Sequence, residues 1–206
     1  MKYLARYTIL IWLSLLCACS LFSVTSPEQR ITLFPEKFPK QDAPPITASI
    51  AFTNTTTNPF LNTNVIIIRN GNTLSRLKGA VWTDSIGSLI NYTLLSALRS
   101  SSLFSSISTD ADGIIALYTI QTSLTQWNIV IKDNKYIVVG ELYANILSKR
   151  KGEIFAQQAW TLEKEISDLT ITTVSIAFQD ILEEIIPKFI QWSEDIIENV
   201  DKESTN

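Results

Sequence analysis

Residues 64–108 read NVIIIRNGNTLSRLKGAVWTDSIGSLINYTLLSALRSSSLFSSIS. The unbroken aliphatic run Val65-Ile66-Ile67-Ile68, closed by Arg69, suits a central strand buried on both faces, which is expected over 64–69. Asn70-Gly71 is a turn signal, and 73–82 can return as a further strand. The repeat then changes from two to about 3.6, the helical period. Thr83-Asp84-Ser85 offers N-cap candidates, and Ile86, Leu89, Ile90, Leu94, Ala97 and Leu98 recur at helical spacing, which predicts an amphipathic helix over 84–101. Leu103 and Phe104 turn the chain back onto the sheet.

Working outward, 47–53 is also strand-like, and three longer segments follow the helix at 114–131, 135–148 and 153–164. Lys132-Asp133-Asn134 and Lys149-Arg150-Lys151-Gly152 separate them as tight polar turns, so an antiparallel meander is expected. Tyr118, Ile120 and Leu124 share one face of the first strand, and Tyr136, Val138, Leu142, Ala144 and Ile146 one face of the second; the helices belong on these faces. The opposite face carries Ile129, Ile131, Ile137, Val139 and Tyr143. That is less polar than a solvated sheet, and it marks the strip as a candidate interface with a partner or a second copy of the chain, with burial inside the monomer as the competing reading.

The last helix is expected over 171–200, its stripe formed by Val174, Phe178, Ile181, Leu182, Ile185, Phe189, Trp192 and Ile196. Pro187 removes one backbone bond within it and predicts a kink near Glu183. The polar side bears Asp180, Glu183, Glu184, Glu194, Asp195 and Glu198 rather than lysines, so the stripe reads as core and not as a membrane-surface helix. The expected fold class is α+β: an antiparallel or mixed sheet with two main helices packed on one face, in a single domain.

The amino terminus carries different information. Lys2 and Arg6 precede an apolar run over 7–16, too short to span ~30 Å of hydrocarbon. Leu16-Cys17-Ala18-Cys19 closes it as a bacterial lipoprotein cleavage site, with Leu16 three positions before Cys19 and the small Ala18 directly before it. Cys19 is therefore the expected lipidation site, Cys17 being the weaker acceptor because bulky Leu16 precedes it. Ser20 follows where aspartate would signal inner-membrane retention, so lipoprotein sorting rules imply the periplasmic face of the outer membrane. Five of the seven prolines, Pro27, Pro35, Pro39, Pro44 and Pro45, then mark a tether. Within it Ile31-Thr32-Leu33-Phe34 is a candidate edge strand ended by Pro35. The organisation is thus a lipoprotein signal peptide over 1–18, a lipid-anchored tether over 19–46, the folded domain over 47–200 and a polar tail over 201–206.

Composition removes several function classes. The chain has 206 residues and no histidine, which excludes Ser-His-Asp and Cys-His nucleophile chemistry and imidazole metal sites. Both cysteines lie at the cleavage site, so the folded domain holds together without an internal disulfide. Losing Lys2 and Arg6 with the leader leaves the mature chain mildly acidic, with no basic cluster to track phosphates, and nucleic acid is not an expected partner. The serines of Ser100-Ser101-Ser102 and Ser105-Ser106 lack a Gly-x-Ser-x-Gly elbow. No Gly-Lys-Ser/Thr phosphate loop is present. No catalytic residue, metal or cofactor is expected, and the chain is not read as an enzyme.

The segment 64–108 is similar to the auxiliary lipoproteins of ABC-type transport systems, the group that includes paraquat-inducible protein C. Their pattern is a hydrophobic strand ending in Arg, a few residues, a Trp, then a leucine-rich helix closing on Phe and a short strand; Arg69, Trp82, Leu89, Leu98 and Phe104 hold those places here. The later strands, the aromatic-containing strand 155–160 and a terminal helix ending near a Trp extend the likeness over roughly 31–193. At 74–77 relatives often carry an aromatic that this chain lacks. The resemblance implies an outer-membrane lipoprotein that serves a transporter moving lipids between membranes, docked to a periplasmic mammalian-cell-entry-type lipid-shuttling protein, with ATP hydrolysis left to another subunit. The alternatives are an accessory of lipopolysaccharide insertion or of a secretion ring, and a hydrolase of envelope lipids or peptidoglycan.

Overall fold

The computed structural model describes residues 28–35, 38, 45–148 and 152–205. The strands are β1 (Gln29–Ile31), β2 (Ile46–Phe52), β3 (Thr56–Thr57), β4 (Val65–Asn70), β5 (Thr73–Trp82), β6 (Phe104–Thr109), β7 (Tyr118–Lys132), β8 (Lys135–Ser148) and β9 (Glu153–Ile166), and the helices are α1 (Ile86–Ser101) and α2 (Ile171–Thr205). They form one mixed sheet and two helices around a single core, the α+β arrangement expected from the periodicities.

Local chemistry sets the element ends. Ser85 caps α1 by accepting a hydrogen bond from the Ser88 amide, and Ser102 ends the helix in the left-handed region at φ 56°. Asp133 and Asn134 both have positive φ, as a two-residue hairpin turn requires, and they fix the Lys132↔Lys135 register of β7 and β8. At the start of α2 the Thr170 hydroxyl accepts from the Thr173 amide, and the helix runs on through Pro187.

β7 organises the sheet. One edge pairs antiparallel with β8, which pairs with β9, giving the expected meander. The other edge pairs in parallel with β2 and β3 along its first half and with β4 near its end. β2 also pairs in parallel with β6, and β4 carries β5 as a hairpin. The domain therefore has two poles. The β4–β5 and β7–β8 turns lie at one, the hairpin pole. The other, the starting pole, holds the beginnings of β2, β6 and β7 and the β8–β9 turn, where the Gly152 amide donates to the Ser148 carbonyl.

Both helices bury their stripes on one face of the sheet. Ile86, Ile90, Leu94 and Leu98 of α1 and Val174, Phe178, Ile181, Leu182, Ile185 and Phe189 of α2 join Phe52, Trp82, Trp127 and Leu142 in one core. Gly140 makes the close approach of α2 possible: a β-carbon there would lie 2.6 Å from Ile181 Cγ2 and 2.8 Å from the Trp127 ring. The aromatic packing is directional, with Trp127 stacked on Phe178 at 5.6 Å and Trp160 edge-on to Trp192 at 5.4 Å.

Three expectations change. β4 is central but buried mainly through Ile66 and Ile68, with Val65 and Ile67 half-buried. The first long strand begins at Tyr118 rather than 114. The edge strand near 31 lies earlier, at Gln29–Ile31, and pairs in parallel with the end of β5, opposite Ala80, Val81 and Trp82. Leu33 follows it into the core, and the Gln179 amide of α2 brackets Phe34 by accepting from its N–H and donating to its carbonyl. Part of the expected tether therefore belongs to the fold.

Candidate functional site

The strip Ile129, Ile131, Ile137, Val139 and Tyr143 is not one surface. Leu124 pairs with Leu142 and Gln126 with Glu141, leaving Thr125 as an extra residue. This β-bulge reverses the alternation of β7. Before it Tyr118, Ile120 and Leu124 face the helices; after it Trp127, Ile129 and Ile131 do. Ile129 is 0% exposed and Ile131 packs against the same core, so these two are monomer core and not interface. Only Ile137, Val139 and Tyr143 remain on the open face, and Val139 is itself 4% exposed.

Glu141 fastens the bulge. Its Oε2 accepts from Gln126 Nε2 at 3.0 Å and from the Thr125 hydroxyl at 2.8 Å, and its Oε1 accepts from Thr161 at 3.2 Å on β9. These bonds, the Gln126 amide foremost, hold the carboxylate below its ordinary range against the opposing effect of partial burial. One side chain thus ties β7, β8 and β9 where the register shifts.

Toward the starting pole the open face becomes polar. Thr53, Asn54, Thr56, Asp110, Gln121, Ser123, Tyr143 and Asn145 line a cleft of about 360 Å³. Of the buried side-chain polar atoms without a hydrogen-bond partner among the described residues, Asn128 Oδ1, Asn145 Oδ1, Thr119 Oγ1 and Arg69 Nε belong to this face and Trp127 Nε1 to the helix-covered one.

Exposed large apolar side chains are spread over the surface, at Phe34, Leu74, Tyr92 and Ile176 as well as at the starting pole beyond the cleft. Ile115 is 88% exposed, Ile114 55%, Ile154 50% and Leu117 46%. Leu117 is seated by its amide on the Ser49 carbonyl at 3.1 Å. Ile154 pairs with Leu147, and Leu147 with Thr119, two residues beyond Leu117. Ile114 and its neighbours, expected as the start of a strand, precede β7. The signal against that is Gly113 followed by Ile114-Ile115-Ala116-Leu117, an apolar run that does not alternate.

Cys19 lies outside the described residues. The Ser101 hydroxyl is buried on the Leu98 carbonyl at 2.7 Å and that of Ser105 donates to the Ala48 carbonyl at 3.1 Å, so both have structural partners. Among the described residues no cluster of three or more acidic, histidine or cysteine side chains could hold a metal ion. Nor is any helix among them long and apolar enough to cross a membrane.

No family model matches the chain, and no curated protein matches it by sequence. Solved structures do match. A Xanthomonas campestris protein of family DUF330 superposes with a TM-score of 0.76 at 14% identity, covering 84% of this chain and 99% of its own. An uncharacterized protein gives a TM-score of 0.54 at 10% identity over 75% of this chain and 98% of its own. A Helicobacter pylori homolog of a neuraminyllactose-binding hemagglutinin gives 0.51 at 14% identity over 85% and 99%. At these identities the likeness is one of fold.

Proposed function

We propose that this chain is an outer-membrane accessory lipoprotein of an ABC, mammalian-cell-entry-type system for moving lipids between membranes, and that it anchors and docks the transporter without catalysing a reaction. The carrying observation is the position of β1. Gln29 is already paired with β5, so the chain from the lipid-bearing Cys19 to the sheet is ten residue steps, at most ~36 Å. Acyl chains on Cys19, each adding ~0.8 kcal/mol per buried methylene, would hold the domain close to its membrane. The lipoprotein leader, the resemblance of 64–108 to auxiliary lipoproteins and the fold likeness to the Xanthomonas protein support the reading.

Metabolic labelling with palmitate, membrane fractionation and co-purification with the lipid-shuttling subunit test it. Label on the wild type, none on Cys19→Ala, recovery in the outer membrane and co-purification of that subunit are expected. Label that persists on Cys19→Ala and vanishes on Cys17→Ala would overturn the anchor. Co-purification of lipopolysaccharide-insertion or secretion-ring components instead would assign the protein to one of those machines.

A further inference from the structure

We propose that the free border of β9 and the groove between it and α2 form a binding site for an extended peptide segment of another protein, which adds to the sheet as a further strand and sets an apolar side chain among Trp160, Pro187 and Trp192. The site goes beyond the accessory-lipoprotein reading and does not depend on it.

Three observations carry it. The first is the border itself. Among the described residues β9 pairs only with β8, although it runs for 14 residues. The other open borders among them are shorter or charged: β1 has three residues, β6 has six, and the stretch of β5 ahead of its pairing with β1 carries Arg76 and Lys78. A row of alternating backbone donors and acceptors is matched in full by one class of partner, an extended backbone ~4.8 Å away.

The second is the groove beside that border. Gln158, Trp160 and Leu162 point toward α2, since their partners Ala144, Leu142 and Gly140 lie on the helix-covered face. The helix passes along this row from the Lys164–Asp180 ion pair at 2.7 Å to the contact of Trp192 with Trp160. It leaves open a groove of about 530 Å³, walled by Trp160, Pro187 and Trp192 and rimmed by Gln158, Lys188, Gln191 and Asp195. A strand added to β9 aims every second side chain at this groove. The two indoles are half-buried and the Pro187 ring is exposed. The rim charges are already matched on the helix, Lys188 by Glu184 at 2.8 Å and Asp195 by Gln191 at 3.0 Å. The groove therefore selects an aliphatic or aromatic side chain. Pro187, which removes a helical hydrogen bond at an exposed position, gains here a role that core packing does not give it.

The third is charge, which turns away a second copy of the chain. Two β9 strands paired antiparallel about Gln158 set Glu153 opposite Glu163 at both ends, and about Ala159 they set it opposite Glu165. Like charges directly opposite are destabilising. The same glutamates suit an incoming segment whose apolar positions are flanked by lysine or arginine.

The test pans random linear peptides displayed on phage against the full lipoprotein in detergent micelles, and measures binding of the enriched peptides by fluorescence polarisation. Enriched sequences should carry apolar side chains at alternate positions with basic residues beside them. The bound peptide should slow hydrogen exchange at β9 amides and leave those of β6 unchanged. N-methylation of one alternate set of peptide amides should abolish binding and methylation of the other set should spare it, because an added strand gives only every second amide to its neighbour. Pro187→Asp with Gln191→Asp, at two exposed positions, should fold, by circular dichroism, and bind about tenfold or more weakly, as an unpaired charge against the apolar walls is penalised. Ile176→Asp, exposed on the same helix outside the groove, should bind as the wild type does. Enrichment no greater on the wild type than on the Pro187→Asp, Gln191→Asp protein would overturn the site, as would binding that leaves β9 unprotected or that is lost equally with either methylation set. Self-association of the wild type in sedimentation, with β9 protected when no peptide is present, would overturn the foreign segment in favour of a second copy. None of these measurements involves the lipid-shuttling subunit, so the accessory reading stands or falls separately.

Discussion

Trp82 and Phe178 meet edge to face, their ring centroids 5.2 Å apart at 74°, and the contact joins the end of β5 to the first half of α2. Both are fully buried. Trp82 is one of the residues through which the segment resembles transport auxiliaries, and its place in the structure is that of a core anchor. Trp82→Ala should cost ~3–5 kcal/mol, a large fraction of a domain's whole stability. Thermal unfolding followed by circular dichroism checks it; an unchanged melting temperature would mean that Trp82 does not hold β5 to α2.

Gly87 on α1 faces Thr57 on β3 so closely that a β-carbon would come within 2.4 Å of Thr57 Cγ2. Gly87→Ala should therefore destabilise by about 1–3 kcal/mol through overpacking. In a Thr57→Ser background that methyl group is gone, and the same substitution should be neutral or favourable by up to about 1 kcal/mol, as alanine is the better helix former. A double-mutant cycle measures this coupling, and additive effects would exclude it.

The bulge at Thr125 separates two isoleucines that simple alternation would place together. Ile129→Asp should prevent folding, since it puts an unpaired charge in the core. Ile137→Asp, on the open face, should leave a cooperatively folded domain. Circular dichroism of the two variants decides; equal tolerance would mean that the register after Leu124 is not shifted.

Glu141 accepts hydrogen bonds from β7 and β9 at that bulge. Glu141→Gln should lower stability by roughly 1 kcal/mol after solvent screening. Since the folded carboxyl lies below its ordinary range, its contribution is present above the unfolded pKa and is lost as pH falls through the folded one. The gap between wild type and variant should therefore close in acid, as urea titrations at descending pH would reveal.

Asp168 stands just before α2, where the Thr170 hydroxyl, then the Thr170 amide and the Ser167 and Thr173 hydroxyls, lower its carboxyl to about 2. Carboxyl chemical shifts followed by NMR should place its midpoint near that value in the wild type. Thr170→Val, which removes the leading hydroxyl, should return it toward the ordinary aspartate range. A midpoint unmoved by Thr170→Val would exclude the hydroxyl as the cause.

Where one local rule governed, the sequence was readable. β5 and β8 have the expected bounds, because Asn70-Gly71 and Asp133-Asn134 pin their turns and alternation carries the rest. Parallel pairing was not readable: β2 lies beside β6 and β7, and β1 beside β5, through contacts that no short-range pattern specifies. The bulge lay between these cases. Apolar residues at 118, 120 and 124 give way to 127, 129 and 131, and that change of parity was visible. Thr125 and Gln126 nevertheless have no feature that says which strand absorbs the extra residue until Glu141 is seen to hold both. The strip was misplaced for the same reason, since it depended on unbroken alternation, and the exposed run 114–117 on where β7 begins.

Among the described residues β9 pairs with β8 alone, so its far side presents a row of backbone donors and acceptors along fourteen residues. From Ile154 to Leu162 that border carries no charge and no proline; the first charges stand at Glu153 and at Glu163-Lys164-Glu165. Those four side chains are the gatekeepers of a segment otherwise fit for cross-β stacking. How safely this protein stays apart from other copies of itself at high concentration depends on charges that take no part in its core.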